Sequence, residues 1–145
     1  MDLLERARAL AACAVFANLA PNVLIRLAER ARVTELVAGE RRSTADSVWV
    51  VASGALAVAS HTDSVTQAGT ASSIRRRGGT AEVGSVLGLV RVIAPPHQPV
   101  EAIAERASVV VGVAVDDVRD VLEEDPGALS ALCDALSRIL LGEPA

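Results

Sequence analysis

The stretch that most constrains this fold is residues 82–91, a glycine-bounded turn that leads into an apolar run. Gly84 and Gly88 bracket Val86 and Leu87, and the apolar residues that follow suffice for about one and a half helical turns. A turn that leads into a short helix can present backbone N–H groups to an anion, because helix N-termini are electropositive. The same spacing also suits a tight corner between strands, so the motif alone leaves both interpretations open.

The composition indicates one soluble domain with an aliphatic core. The chain has 145 residues, 51% of them apolar, yet it contains one Phe, one Trp and no Tyr. A chain of this length buries roughly 68–70% of its unfolded surface as a single domain. The net charge of −4 argues against a sequence-independent nucleic-acid binder, which needs a basic surface. No apolar run reaches membrane-spanning length, and the acidic N-terminus does not suit a signal peptide, so we expect a cytoplasmic protein without nucleic-acid or membrane partners.

Two helices are predicted at the start of the chain. Residues 2–12 are rich in Leu, Ala, Glu and Arg, which favour helix, and Asp2 is a suitable N-cap. Residues 21–31 form the second helix, because Pro21 suits a first turn and an apolar stripe follows it. The segment between them breaks the helical period, and we expect its Phe16 to be buried between the helices.

From residue 32 to residue 114 the pattern favours short strands and tight turns. Residues 47–52 and 55–60 are predicted to form a hairpin through Ser53 and Gly54, a strong local turn signal. A polar, glycine-rich loop is expected at residues 61–71. The other predicted strands are residues 33–37, 41–44, 72–77, 100–105 and 107–113.

Two further helices are predicted after the strands. Residues 115–124 form the first, with Asp116 expected as its N-cap. Asp125 and Pro126 end this helix and are predicted to cap the last one, which runs roughly from Gly127 to Leu141. The last helix carries a continuous apolar stripe, formed by Leu129, Leu132, Leu136, Ile139 and Leu140.

Residue types that carry catalysis or bind metals do not form a recognisable arrangement in this sequence. His61 and His97 have no Cys or carboxylate neighbours at metal-ligand spacing, so we expect no metal site. Residues 75–77 are three arginines that alternate across a predicted strand, where a solvated face is favoured over an anion site. Cys13 and Cys133 are too few for a disulfide framework. We therefore do not expect an enzyme.

The order of these elements resembles the cyclic-nucleotide-binding domain family. That family includes the sensor half of the catabolite-activator transcription regulators and the regulatory domains of some kinases and channels. The segments that carry the resemblance are residues 13–20, 37–40, 48–58, 84–88 and 118–126. The resemblance implies a mainly β, antiparallel β-roll or jelly-roll barrel in a single domain of residues 1–145. Its parts would be N-terminal helices at 2–31, the roll at 32–114 and C-terminal helices at 115–141.

In this resemblance, Gly84 to Gly88 begin the family's phosphate-binding cassette, and the sequence departs from the family's pattern there. Nucleotide-binding members carry a Glu after the second cassette glycine that accepts hydrogen bonds from a ribose hydroxyl, and here that residue is Leu89. They also carry an Arg that pairs with the cyclic phosphate, and the matching positions hold no Arg. Arg91 is nearby, but on a short helix we expect it to face water. The implied ligand-binding residues are Val86, Leu87, Gly88, Leu89, Val90, His97, Gln98, Pro99 and Val100.

The resemblance implies a regulatory or sensor module whose ligand is a cyclic nucleotide, bound weakly or in an altered way because the cassette Glu and Arg are absent. Ligand binding would move the cassette, and the C-terminal helices would transmit that movement to an effector domain or protein. The alternative is a ligand-free scaffold that acts through protein–protein contact or dimerisation.

The terminal helix forms the dimer contact in the resembling regulators. A symmetric homodimer through the helix from Gly127 to Leu141 is therefore predicted here. The competing interpretation is that the same apolar stripe packs on the domain's own core.

Overall fold

The computed structural model describes residues 1–58, 79–93 and 99–140, and in these ranges strands lie between helices at both ends. The helices are α1 (Leu3–Ala11), α2 (Pro21–Arg30), α3 (Val90–Ile93), α4 (Val115–Glu124) and α5 (Pro126–Leu140). The strands are β1 (Arg32–Leu36), β2 (Arg41–Ser43), β3 (Ser47–Ser53), β4 (Leu56–Val58), β5 (Thr80–Ala81), β6 (Val86–Leu87), β7 (Glu101–Ala104) and β8 (Ser108–Ala114). The predicted class, mainly β with flanking helices, is confirmed.

The described strands form two antiparallel sheets of four strands each. Sheet 1 has the order β1-β8-β3-β6, and sheet 2 has the order β2-β7-β4-β5. Across the described ranges the two sheets do not close into a barrel, so the architecture is an open β-roll.

Apolar side chains of both sheets meet in a cluster that we call the roll interior. Its members are Leu36, Trp49, Val51, Leu56, Val58, Ala81, Leu87, Val100, Ala102, Ala104 and Val110. A second cluster, the helix-side core, lies on the other face of sheet 1 and joins β3, β6 and β8 to α1, α2, α4 and α5. The sheet is therefore covered on both faces.

The sequence of strand β3 is a continuous apolar run because both faces of the strand are covered. Val48 and Val50 point into the helix-side core, whereas Trp49 and Val51 point into the roll interior. Successive side chains of a strand lie on opposite faces, so a strand covered on both sides needs apolar residues at every position. All four side chains are buried, with Trp49 the most exposed at 6%.

The predicted hairpin between β3 and β4 is wrong, because the two strands belong to different sheets. Gly54 has a φ of +85°, and a Cβ there would lie 2.2 Å from Ser108 Oγ. The next residue, Ala55, donates its backbone N–H to the same Ser108 Oγ at 3.1 Å. The chain does turn at Gly54, as predicted, but this turn carries the chain from one sheet to the other. Strands β7 and β8 likewise lie in different sheets and do not pair.

The helix termini confirm two predicted caps and overturn a third. The Asp2 carboxylate accepts a hydrogen bond from Glu5 N at 2.8 Å, and Asp125 Oδ1 accepts from Gly127 N at 3.0 Å. The prediction for Asp116 is wrong, because α4 begins at Val115 and no side chain caps it. Asp116 instead lies in the first turn, where a carboxylate is favourable to the helix dipole.

The apolar stripe of the last helix packs in part on the domain itself. Leu132 and Leu136 are 1% and 8% exposed and belong to the helix-side core. Leu129 is 46% exposed. The side chains of Ile139 and Leu140, together with Leu141, lie outside the described residues. The stripe therefore combines a core face with an exposed leucine.

Several predicted features fall outside the described residues as a group. They are the loop at 61–71 with His61, the strand at 72–77 with its arginines, and the ligand positions His97 and Gln98.

Candidate functional site

The two glycines of the turn at residues 82–91 occupy backbone conformations that favour glycine. Gly84 has a φ of +90° and Gly88 a φ of +81°, both in the left-handed region. Between them lies the two-residue strand β6, which pairs with Trp49 and Val50 of β3. The cassette-like segment is therefore a strand at the edge of sheet 1, bounded by two turns and followed by the single turn of helix α3.

The predicted ligand-binding residues separate into two groups. Leu87 and Val100 meet in the roll interior, whereas Val86 and Leu89 belong to the helix-side core. Two further predicted positions belong to neither cluster as described. Pro99 is half-buried, and Val90 is the first residue of α3. The structure thus brings together only Leu87 and Val100 of the described set in the roll interior.

Leu89 is the most informative of these positions. Its side chain is 2% exposed and lies in the helix-side core, where Val92 of helix α3 is also buried. The sequence resemblance matches this position to the sugar-binding Glu, but here the side chain is a hydrocarbon that packs with other apolar side chains. Leucine cannot accept a hydrogen bond from a ribose hydroxyl.

Thr44 lies beside the cassette-like turn and is bonded to the segment that leads into β7. In the sequence it is marked only as the polar end of a predicted strand. Thr44 is 2% exposed, its N–H donates to Val100 O at 2.8 Å, and its Oγ1 accepts from Val100 N at 3.0 Å. A Cβ on Gly88 would lie 2.9 Å from Ser47 O and 3.3 Å from Thr44 Oγ1. Glycine at 88 therefore allows the turn to approach the β2–β3 connection closely.

The roll interior offers few polar groups to a ligand. Among the described residues, the buried polar side chains are Thr44 and Ser108. The Ser108 hydroxyl hydrogen-bonds with Ala55 N, Ala55 O and Arg106 O, and Thr44 bonds to the backbone of Val100. Both hydroxyls serve the backbone, so the described part of the interior is hydrophobic toward any ligand.

Trp49 lies beside the cassette-like strand in the roll interior. It stands opposite Leu87 on β6 and opposite Gly112 on β8. A Cβ on Gly112 would lie 3.1 Å from the Trp49 ring, so the indole packs over a glycine. Because Trp49 is the single tryptophan of the chain, its fluorescence reports directly on this region.

Arg91 was expected to face water, and that expectation is wrong. Its side chain is 19% exposed, and its Nη2 donates to Asp46 Oδ1 at 3.0 Å. Its Nε is buried and has no hydrogen-bond partner among the described residues. The pairing joins residues 45 positions apart in the chain, which local sequence patterns do not reveal.

A polar cleft of about 260 Å³ lies between α3, the β2–β3 turn and the start of α4. It is lined by Asp46, Arg91, Ala114, Val115, Asp116 and Arg119. Arg119 Nε donates to the carbonyl oxygen of Val92 at 3.0 Å, which joins α4 to α3. The two arginines and two aspartates that line the cleft have balanced formal charge.

Groups for metal binding or nucleophilic catalysis are not assembled in the described parts of the chain. Within residues 1–58, 79–93 and 99–140, no three His, Cys, Asp or Glu side chains are placed to hold a metal ion. Burial raises the pKa of the Cys13 thiol, which leaves little thiolate at neutral pH. Of the described helices, none is long and apolar enough to span a membrane.

Comparison with known proteins gives a clear result only at the level of structure. No protein-family model matches this chain, and no curated protein matches it either.

Solved structures do match it, over most of the chain. The N-terminal domain of a transcriptional regulator from Streptomyces coelicolor A3(2) has a TM-score of 0.62 at 17% identity, covering 97% of this chain and 92% of its own. The sensor domain of the transcriptional regulator DNR from Pseudomonas aeruginosa has a TM-score of 0.68 at 14% identity, covering 95% and 90%. A cyclic nucleotide-binding-like protein from Brucella abortus has a TM-score of 0.57 at 22% identity, covering 82% and 98%. The fold is that of cyclic-nucleotide-binding domains.

Proposed function

We propose that this chain is a regulatory sensor module of the cyclic-nucleotide-binding type whose ligand is bound weakly or through altered contacts. The observation that carries the proposal is the placement of Leu89 in the helix-side core with 2% exposure, because the sequence resemblance matches this residue to the sugar-binding Glu. The fold supports a sensor role, and the missing contacts support weak binding.

The absence of the Glu and the Arg lowers the expected affinity for a cyclic nucleotide. A hydrogen bond to a charged group contributes about 1.5–3 kcal/mol, and each 1.4 kcal/mol changes an affinity about tenfold. The Glu and the phosphate-pairing Arg are both absent from the matching positions, where Leu89 and residues 97–100 stand. Gln98 can donate a hydrogen bond to a phosphate but cannot neutralise it. The affinity of this chain for a cyclic nucleotide is therefore expected to be roughly two to four orders of magnitude lower than that of a domain that carries both the Glu and the Arg.

The apolar roll interior supports the same conclusion. A cyclic phosphate that enters it exchanges its hydration for contact with side chains such as Leu87, Val100 and Trp49. Burial of a charge without a partner is costly, so such a ligand gains little from the described residues. A less polar ligand loses less hydration and fits this surface better.

A signal from the roll has a defined route to the C-terminal helices. Helix α3 follows the cassette-like strand directly, and its Val92 carbonyl accepts a hydrogen bond from Arg119 of α4. Helix α4 is also joined to α2 by ion pairs of Arg26 with Glu124 and of Arg30 with Asp117. Displacement of α3 therefore changes the support of α4, a two-state element that a ligand can bias.

A ligand-free scaffold is the alternative function. Its supporting observation is the apolar character of the roll interior, since a cluster of aliphatic side chains can be stable without a ligand. Such a protein would act through protein–protein contact or dimerisation, and cyclic nucleotides would leave its stability unchanged.

Thermal unfolding with a panel of cyclic mono- and dinucleotides tests the proposal. At about 1 mM ligand we expect at least one of them to stabilise the protein by about 1 kcal/mol, which corresponds to a Kd of roughly 0.2 mM. Trp49 fluorescence should change with the same ligand, because the indole stands next to Leu87. If no nucleotide changes either the stability or the fluorescence, the scaffold function is favoured instead.

A matched pair of variants locates the binding site. Ala102→Leu fills the roll interior, where Ala102 is 1% exposed, while Ala57→Leu adds the same atoms on the half-buried outer side of the same sheet. We expect Ala102→Leu to abolish the ligand-induced stabilisation and Ala57→Leu to preserve it. Equal effects of the two variants would place the ligand outside the roll.

A further inference from the structure

The turn between β2 and β3 contacts two helices through one residue, Asp46. The carbonyl oxygen of Asp46 accepts a hydrogen bond from Val115 N at 2.7 Å, at the first residue of α4. The carboxylate of Asp46 accepts from Arg91 Nη2 at 3.0 Å, on helix α3. A single turn residue is thus bonded to α3, which lies between β6 and β7, and to α4, the first helix after β8.

A third hydrogen bond closes a ring between these elements. Arg119 of α4 donates from Nε to the carbonyl oxygen of Val92 on α3 at 3.0 Å. Helix α3, the β2–β3 turn and helix α4 are therefore each bonded to the other two, around the polar cleft. Helix α3 has only four residues, so these bonds contribute much of what holds it in place.

The ion pair in this ring is asymmetric in its exposure to water. The Arg91 side chain is 19% exposed, whereas the Asp46 side chain is 89% exposed. An exposed carboxylate can leave the pair at little cost, because water solvates it fully. The Arg91 guanidinium is largely shielded from water, with its Nε buried, and a shielded charge that loses its counter-charge is destabilising. Loss of the carboxylate therefore drives Arg91 toward water.

We propose that Asp46 and Arg91 form an electrostatic latch that keeps helix α3 seated on the roll. While the latch is closed, α3 stays bonded to the β2–β3 turn and to α4. When the Asp46 carboxylate is removed or screened, Arg91 swings out to be solvated and α3 leaves its seat with it. The latch goes beyond the proposed sensor function, since it is a property of the ligand-free protein.

Hydrogen exchange of the peptides that cover α3 tests the latch directly. The amides of Arg91 and Val92 are hydrogen-bonded to the carbonyls of Gly88 and Leu89, so unseating of α3 exposes them. Asp46→Ala keeps the backbone carbonyl that supports α4 and removes only the carboxylate. We expect it to accelerate exchange in α3 by roughly tenfold or more. Peptides of β8 serve as the folded reference and should exchange as in the wild type.

Three further variants separate charge pairing from general loosening. Arg91→Met breaks the same pair but leaves no charge to solvate, so it should accelerate α3 exchange clearly less than Asp46→Ala does. The double variant Asp46→Ala/Arg91→Met should exchange like Arg91→Met, because the carboxylate then has no partner to lose. Glu101→Ala removes an ion pair whose partners, Arg41 and Glu101, are both more than half exposed, and should leave α3 unchanged.

Added salt tests the latch without any substitution. Raising NaCl from about 0.05 M to about 1 M should accelerate α3 exchange in the wild type, because the Asp46 carboxylate is exposed to screening. The Arg91→Met variant should show no such salt dependence. The latch is overturned if Asp46→Ala accelerates exchange by less than about tenfold, or if Arg91→Met exchanges as fast as Asp46→Ala.

Discussion

Thr44 and Val100 are joined by two hydrogen bonds, and both residues are buried. The backbone N–H of Thr44 donates to the Val100 carbonyl at 2.8 Å, and the Val100 N–H donates to Thr44 Oγ1 at 3.0 Å. The pair joins the end of β2 to the segment that leads into β7, beside the cassette-like turn at Gly88. A buried threonine hydroxyl thus takes the place of a backbone partner.

The first prediction concerns this hydroxyl. Thr44→Val keeps the shape of the side chain but leaves the buried Val100 N–H without an acceptor, which costs about 1–3 kcal/mol of unfolding free energy. Urea denaturation measures the change. Thr44→Ser retains the hydroxyl and is the control, with a smaller expected loss. Equal stabilities of Thr44→Val and Thr44→Ser would show that the hydrogen bond contributes nothing.

The second prediction separates backbone strain from lack of space at two glycines. Gly39 and Gly54 have φ values of +87° and +85°, but a Cβ on Gly39 meets nothing within 4 Å, whereas one on Gly54 lies 2.2 Å from Ser108 Oγ. Gly39→Ala should therefore lose only about 1–2 kcal/mol from the left-handed backbone. Gly54→Ala should lose at least about 2 kcal/mol more, because atoms must also move. Denaturant midpoints of the two variants would have to coincide for this interpretation to be wrong.

The third prediction concerns the cassette position itself. Leu89→Glu restores the residue type that the resembling nucleotide-binding members carry, but it places a carboxylate in the helix-side core. We expect a loss of about 3 kcal/mol or more of unfolding free energy, because a buried charge without a partner is strongly unfavourable. Leu89→Met, which conserves volume, should cost less than about 1.5 kcal/mol. A Leu89→Glu protein as stable as the Leu89→Met protein would show that this side chain reaches water.

The fourth prediction concerns assembly through the last helix. We expect the wild type to be a symmetric homodimer in light scattering, with the exposed side of α5 as its contact. Leu129→Asp, at a side chain 46% exposed, should then give a folded monomer. Leu136→Asp, at a side chain 8% exposed in the helix-side core, should instead unfold the domain. A wild type that is monomeric at high concentration contradicts the dimer.

Much of the fold follows from local patterns in the chain. The apolar run at β3 predicts a strand, and the structure adds the reason, since Trp49 and Val51 face the roll interior while Val48 and Val50 face the helices. Strand pairing was not predictable in the same way. The turn at Gly54 has the local signature of a hairpin, but pairing across sheets depends on the partners that the whole roll supplies.

The candidate site shows the same division between local and long-range information. The positive φ values of Gly84 and Gly88 agree with a glycine-bounded turn, which spacing alone predicts. Arg91 pairs with Asp46, which is 45 positions away in the chain, and local sequence patterns do not reveal such a contact. Thr44 likewise acquires its role from Val100, a distant residue.

Calorimetric titration of the wild-type protein with cyclic AMP measures how tightly the roll binds a cyclic nucleotide. The central claim is that this roll recognises a cyclic nucleotide without the cassette Glu and Arg, with Leu89 buried in the core in place of the Glu. The predicted result is a Kd of roughly 0.1 mM or weaker, since two contacts of about 1.5–3 kcal/mol each are absent. A Kd of about 1 µM or tighter would contradict this prediction, because such affinity requires charge pairing with the phosphate, and neither Leu89 nor residues 97–100 include an Arg to supply it.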